Sequence, residues 1–573
     1  MYIRNVKIEN YRAFKNFEIT LSNLSLIIGE NEAGKTNLFD ALSLPLNSND
    51  ISFNKKRLSV SDINRESITE FYQAILDEKS VTDIKKLIPK VRVEIEFTDP
   101  KDHFEEHILA NWILGDEKDH SYKIRYDFRP KNEGDFIETV KEILKGVKKV
   151  DEIHWFNLPI EHYDYDVTQS NNGKKVGYLD LKYISINFIN AERDNFSESN
   201  TQKSSDIMTK MLVSSLNASD KAKINSSYTA FFDAIESTET FGKIVQPEPE
   251  FENFFDRLDK LECIPNLPNL RSILSNITLK SGESYLYQRG LGYRNLVYIF
   301  LLFEFFKMDK KIFNLCCIEE PEAHLCVNNL RFATDFIYKS TKSEDSGLQT
   351  LVSSHNPQVI NKLQLSNVIV LSGDKAIHLN DTKSKLTNYL RKRPNFDVLK
   401  LLFSGRTILV EGTTEEMLIN SILNNDDENI HRVEVISIGQ KGFKTFMDIW
   451  LQVNKGNEDK KLGVIRDRDH ITKDAKAKVD HDKYDTDNAN IIVRTTKEYT
   501  LENDLVTAGN NLKSLKAIFG RTGDDVKQMA EYLIGNKAES MLKICDAIFE
   551  KDKNKKIILP AHIQKVVDFM TYD

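Results

Sequence analysis

Read as a string of apolar and polar positions, the chain changes period several times. "YIRNVKIENYRAF" and "FEITLSNLSLIIG", both within the first thirty residues, alternate as half-buried strands do. The second run ends in consecutive apolar residues, the pattern of a strand buried on both faces. After Gly34 the period lengthens in "KTNLFDALSLPL", which predicts a helix. Residues 55–90 read as polar helix, "VRVEIEFTD" at 91–99 as an alternating strand, and 100–190 as mixed strands and helices ending in "KYISINFINAERD".

From 195 to 275 a Ser/Asn/Lys-rich stretch gives way to helical periodicity, the pattern of an inserted helical arm. Two apolar strands follow, "NLCCIEE" (314–320) and "QTLVSSH" (349–355), with helical "HLCVNNLRFATDFIYKS" between them. A second alternation begins at 407, with strands "TILVEG", "RVEVISIG", "LGVIRDRDH" and "NIIVRT". Strands that alternate with helices predict an α/β fold. The expected divisions are 1–195 and 276–388 for one interrupted domain, 196–275 for the insertion, 389–405 for a linker and 406–573 for a second domain.

The chemistry sits at the ends of these strands. "GENEAGKT" (Gly29–Thr36) fits the phosphate-binding loop GxxxxGK[ST] at every fixed position. Gly29 and Gly34 let backbone N–H groups wrap phosphates, Lys35 reaches the β/γ oxygens, and Thr36 can ligate Mg²⁺. The cofactor read from this loop is ATP. The other half of such a site is an apolar strand ending in carboxylates, and "IFNLCCIEEPEAHL" supplies Glu319 and Glu320. Glu319 is assigned to the Mg²⁺ shell and Glu320 to the attacking water. Glu319 stands where many such ATPases carry Asp, which alters the metal geometry or slows hydrolysis. "VSSHNP" places His355 after a further buried strand, within reach of the γ-phosphate.

These segments together resemble RecF-type and SMC-type ABC ATPases, from the opening strands and loop through "IEEPEAHL" to "SSHNP". The resemblance carries Asn31 and Asn37 into the nucleotide set. It also implies a signature segment, for which "QRGLGYRNLVYI" with Gly290 and Gly292 is the best match, although it departs from the LSGGQ pattern. ATP would then sit between two copies, with the inserted arm serving dimerisation, and the assembly would be a homodimer or homotetramer.

The later strands carry a different set. Glu411 stands at the carboxyl edge of "TILVEG", Gly412 permits a sharp exit, and Glu415 lies in the first turn of the helix that follows. "LGVIRDRDH" ends in Asp467 and Asp469, alternate residues that face one way if the segment stays extended. Oxygen donors from two strand ends suit Mg²⁺ or Mn²⁺. Arg468, between the aspartates, is read as a contact to a nucleic-acid backbone.

A strand ending in Glu-Gly and another ending in Asp-x-Asp resemble a TOPRIM domain. An ATPase of this type followed by TOPRIM resembles the OLD (overcoming lysogenisation defect) family, which includes the Gabija-type nucleases of antiphage systems. That resemblance implies a two-metal nuclease site, with a further carboxylate from "KEYTLENDL" (Glu502, or its competitor Glu498) and a lysine, Lys537 in "GNKAES". The implied function is an ATP-regulated DNA endonuclease or nickase of phage defence, working alone, with a helicase-like partner or with retron components. The alternative is a non-cutting DNA-binding ATPase whose TOPRIM unit recognises DNA or a partner.

Composition narrows this little. A chain of 573 residues is too long for one core. Its net charge of −8 does not announce a nucleic-acid binder, and the basic runs "LRKRP" and "EKDKNKK" read as solvated faces. Five cysteines without CxxC spacing, no signal-like start and no apolar run of eighteen residues lead to the expectation of a reduced, cytoplasmic protein away from membranes.

Overall fold

The computed structural model describes residues 1–46, 56–109, 113–114, 121–169, 173–176, 181, 183–189, 208–209, 211–213, 215–240, 270–274, 277, 279–308, 313–342, 348–379, 396–424, 433–439, 442–468, 489–549 and 555–571. The chain forms two compact units, one drawn mainly from Met1–Ile28, Glu32–Leu363 and Asn367–Ala376, the other mainly from the residues after Ala376.

In the first unit β1 (Ile3–Tyr11) and β2 (Phe14–Thr20) form an antiparallel hairpin, and β3 (Leu24–Gly29) leads into α1 (Lys35–Ser43). Strands β4 (Val91–Phe97), β5 (Ser121–Pro130) and β6 (Tyr163–Gln169) extend the β1 side in antiparallel order. Strand β7 (Ile184–Ile189) precedes α2 (Leu291–Met308), β8 (Phe313–Glu319), α3 (Val327–Lys342) and β9 (Leu348–Ser353). The last strands are β10 (Val368–Ser372) and β11 (Lys375–His378). The sheet runs β5-β4-β1-β2-β11-β10-β3-β9-β8-β7, with β6 and the short strand Ile113–Leu114 on β5.

The strand patterns follow from this order. β4 alternates buried and half-buried residues because one face is covered more fully than the other. β3 and β9 are buried at every residue, and they are parallel strands inside the sheet. Gln349 on β9 stitches chain start to chain middle: its Nε2 donates to the carbonyls of Ile3 and Ser22, each at 2.9 Å, and its Oε1 accepts from Ile3 N at 2.9 Å. Buried polar contacts of this kind specify a register that apolar packing alone leaves loose.

Within the segment expected as a helical arm, the longest described helix is Ala218–Glu236. None of its side chains is buried, and Phe231 is 58% exposed. Among the described residues no helix is long and apolar enough to cross a membrane.

The second unit is a four-stranded parallel sheet in the order β13-β12-β14-β15, where β12 is Arg406–Val410, β13 Val433–Ser437, β14 Lys461–Arg466 and β15 Ile491–Thr495. Helix α4 (Thr413–Asn424) follows β12 and α5 (Phe443–Asn454) follows β13. Beyond β15 come α6 (Leu501–Thr507), α7 (Lys537–Ile548) and α8 (Ala561–Thr571). Leu418 and Ile419 of α4 share a core with Met541 and Ile544 of α7 and with Ile563, Val566 and Met570 of α8. Burying each such side chain contributes roughly 1.5–3 kcal/mol. α8 crosses β14 at Gly463, where a Cβ would come within 2.6 Å of Val566 Cγ1 and 2.8 Å of Met570 Cε. A glycine is needed there for close approach, not for its backbone angles.

Candidate functional sites at two strand edges

In the first unit three parallel neighbours, β3, β9 and β8, deliver their carboxyl ends together. Ile27 pairs with Ser353, and Ser353 with Glu319. Gly29 ends β3, Asn31 is exposed in the loop, and Gly34 adopts a left-handed φ of 91° immediately before α1. No side chain caps α1 at Gly34 and its first turn holds no acidic residue, an arrangement suited to receiving an anion at the helix N-terminus. Lys35 opens the helix and Thr36 beside it is exposed. Asn37 is engaged from behind by Arg12, whose Nη1 lies 3.4 Å from its Oδ1; Arg12 also pairs with Asp40 at 2.5 Å and Asp62 at 2.9 Å. Nothing in the sequence pattern singled out Arg12.

Opposite the loop, Glu319 ends β8 and Glu320 leaves it with a left-handed φ of 43°. A non-glycine residue held in that region stores roughly 1–3 kcal/mol of strain. Glu320 Oε1 stands 3.9 Å from His355 Nε2. Burial lowers the Lys35 pKa and Glu320 opposes that shift. Burial also lowers the His355 pKa, with help from Lys35 and against Glu320 and Glu322, so the ring is neutral at neutral pH. Lys35, Glu320 and His355 therefore lie close enough to influence one another's charge.

Glu322 is a residue of this site that the motifs did not mark. Its Oε1 accepts from Ser354 Oγ at 2.8 Å and from His355 N at 2.9 Å, tying the turn after β8 to the loop after β9. Its place three residues after Glu319 in "EEPE" was the available signal. Of the signature-like glycines, Gly290 has open space where a Cβ would stand, with no heavy atom within 4 Å, whereas at Gly292 a Cβ would meet the His324 carbonyl oxygen at 2.4 Å. The closeness expected of Gly292 toward a phosphate is thus already used by a turn of the same chain.

The second edge lies in the other unit. Leu409 pairs with Val464, so Glu411 and Asp467 leave adjacent parallel strands at the same edge. Neighbouring strands lie about 4.8 Å apart. Both residues are half-buried. The Glu411 carbonyl accepts from Gly439 N at 2.8 Å, which fixes its backbone against the strand on the other side. Glu415 is 7% exposed, and its Oε2 accepts from Gly412 N and Thr414 Oγ1, each at 3.1 Å. It therefore closes the first turn of α4. β14 ends at Arg466, so Asp467 follows the strand rather than lying within it. Asp469 falls outside the described residues.

Glu502, in the first turn of α6, is 3% exposed. Its Oε2 accepts from Thr500 Oγ1 at 2.8 Å, and Lys537 Nζ stands 3.6 Å from its Oε1. Two residues expected on resemblance alone are thus brought together across 35 positions of sequence (537 minus 502). The competitor Glu498 contributes its N–H to Asp504. Burial raises the Asp504 pKa, but hydrogen bonds from His562 and the amides of Glu498 and Lys497 outweigh it and hold the carboxyl below its ordinary value. Among the described residues no three or more His, Cys, Asp or Glu side chains converge as a ready-made cation cage. The donors present are nonetheless carboxylates along one edge, the set a hard divalent cation prefers.

A P-loop ATPase unit and a separate parallel-sheet unit with acidic strand ends define the class: an ATPase joined to a TOPRIM domain. Comparison with known proteins agrees. Residues 1–360 match the family of the AAA ATPase domain, and the chain belongs to that family; residues 402–469 match the TOPRIM domain of overcoming lysogenization defect protein-like proteins. Among curated proteins, Endonuclease GajA of Bacillus cereus (strain HuB5-5) is 23% identical over 524 residues, covering 76% of this chain and 73% of that one. The DNA replication and repair protein RecF of Rickettsia typhi is 44% identical over 45 residues, 8% of this chain and 12% of that protein. Among solved structures, the C-terminal region of the Burkholderia pseudomallei OLD protein is 18% identical, covering 30% of this chain and 98% of that chain at a TM-score of 0.19.

Proposed function

We propose that this protein is an ATP-regulated DNA endonuclease or nickase that requires a divalent cation, Mg²⁺ or Mn²⁺, and acts in antiphage defence. The observation that carries the reading is the shared carboxyl edge of Glu411 and Asp467 on adjacent strands, in a domain that also pairs buried Glu502 with Lys537. The likeness to a protein named an endonuclease over 76% of the chain supports it.

In this reading Glu411, Glu415, Asp467, Asp469 and Glu502 would hold the cations, which would supply activation of a water and stabilisation of the leaving oxygen of a phosphodiester. Lys537 offsets charge building on the phosphate, and its place beside Glu502 keeps it at the site when no substrate is bound. Arg468 contacts the DNA backbone. In the ATPase unit Lys35, Thr36 and Glu319 hold ATP and its Mg²⁺, while Glu320 orients water and His355 reads the γ-phosphate. Two copies, as a homodimer or homotetramer, complete the nucleotide sites through Gly290. ATP then shifts the access of DNA to the nuclease edge. A helicase-like protein or retron components are the partners this role would recruit.

Plasmid DNA incubated with Mg²⁺ or Mn²⁺, with and without ATP, tests the activity. Glu411→Gln and Asp467→Asn should abolish cutting while ATP binding persists. Cutting that survives both substitutions, or a wild-type protein that binds DNA without cutting, sinks the reading in favour of a non-cutting DNA-binding ATPase. Phage plating on cells carrying wild type or Asp467→Asn tests the defence role.

A further inference from the structure

Asp504 lies on α6 two residues after Glu502, with its side chain 5% exposed, yet none of the strand-end chemistry uses it. Both of its oxygens are already committed. Oδ2 accepts from Lys497 N at 2.8 Å and stands 3.0 Å from His562 Nδ1, while Oδ1 accepts from Glu498 N at 2.7 Å. A carboxylate filled in this way has little capacity left for a cation. Its effect is to hold the turn after β15, and that turn in turn holds Arg468 just past the end of β14. Thr496 Oγ1 donates to the Glu498 carbonyl at 3.0 Å and accepts from Arg468 N at 2.8 Å, and Arg468 Nη1 donates to the Lys497 carbonyl at 2.9 Å. Arg468 directly follows Asp467.

His562 reaches Asp504 from the start of α8, where its side chain is 7% exposed. The helix cannot slide freely, because Val566 and Met570 lock against β14 at Gly463. The Nε2 of the ring is buried with no hydrogen-bond partner among the described residues. Its bond to Asp504 is therefore the polar contact that orients it.

We propose that Asp504 and His562 are a buried positioning pair for the cation site: through the amides of Lys497 and Glu498 and the hydroxyl of Thr496, they fix the backbone beside Asp467. This rests on the nuclease reading of that edge. Preorganising a ligand-bearing loop raises cation affinity because the loop is not ordered at the moment of binding.

The test compares full-length wild type with His562→Leu, His562→Asn and Thr496→Val. Asn places an amide N–H near the former Nδ1, whereas Leu fills the space without a donor. Mn²⁺ affinity is read by electron paramagnetic resonance, and the Mn²⁺ concentration for half-maximal plasmid nicking is read separately. His562→Leu and Thr496→Val should weaken Mn²⁺ binding about tenfold or more, with His562→Asn within about threefold of wild type. Thermal melts identify any variant that fails to fold, and Thr496→Val, nearly isosteric, decides the matter if His562→Leu does.

Unchanged Mn²⁺ affinity in folded Thr496→Val and His562→Leu protein overturns the positioning role, whatever happens to stability. The nuclease reading fails by a different sign, namely cutting that persists in Asp467→Asn. The Mn²⁺ affinities decide the positioning pair in either case.

Discussion

The carboxylate of Glu322 accepts the backbone N–H of His355 at 2.9 Å, joining the turn after one strand to the loop after its neighbour. Because the same oxygen also takes the Ser354 hydroxyl, one side chain sets where the histidine stands relative to Glu320 and Lys35. Glu322→Ala leaves that N–H and hydroxyl without their acceptor, a loss of about 1–3 kcal/mol if water does not replace it. ATP hydrolysis should fall by about tenfold or more, with nucleotide affinity little changed. Glu322→Gln keeps an acceptor oxygen and should recover most of the rate. Steady-state phosphate release with a nucleotide-binding titration checks both.

Acid should act on the ATPase unit through His355. Burial, with Lys35 beside it, sets its folded pKa below the ordinary value of 6.5, so the unfolded chain takes up a proton first as the pH falls. The stability contributed by the neutral ring is fully present above that value and is lost as the pH drops through the window beneath it. The melting temperature of wild type should therefore decline with acid in that window more steeply than that of His355→Asn. ATP hydrolysis should persist at pH 6.5 and fail only lower. Parallel slopes for the two proteins would remove His355 as the cause.

Gly34 is constrained twice, by its φ of 91° and by Phe14, whose Cζ would lie 2.6 Å from an added Cβ. Gly34→Ala should abolish ATP binding and lower stability by roughly 1–3 kcal/mol. Adding Phe14→Leu should return the part of that loss due to the clash and leave the part due to the backbone. Chemical denaturation of the two single variants and the double variant separates the contributions.

Lys537 stands 3.6 Å from a nearly buried Glu502 and is itself half exposed, so it can turn toward an incoming phosphate. Lys537→Ala should slow cutting by about a hundredfold or more under saturating Mn²⁺, with ATP hydrolysis unchanged. Single-turnover cleavage measures this; a rate near wild type would leave Lys537 as a surface partner of Glu502 only.

Much of this protein is legible in the sequence alone. Local spacing set the P-loop between a buried strand and a helix, because backbone N–H groups and a lysine must lie within a few residues to surround a phosphate. The same logic drew attention to Glu319, Glu320, Glu411 and Asp467, each at or just after the end of an apolar run that forms a buried strand. Packing of strands far apart in sequence was a different matter. That β9 lies between β3 and β8, which brings His355 to Glu320 and Lys35, depends on β3 pairing with β9 across more than three hundred positions.

The tertiary structure alone decided the contacts made by side chains whose identity is unremarkable in sequence. Glu322 looked like any glutamate in an acidic turn, Gly292 like a phosphate-facing glycine, and Asp504 and His562 like ordinary helix residues. Their roles depend on direction and distance, such as a carbonyl at 2.4 Å or a buried ring at 3.0 Å. Hydrophobic periodicity reports which face of an element is covered, but a hydrogen bond is made or lost within a few tenths of an ångström. That scale is set only when the separate elements pack.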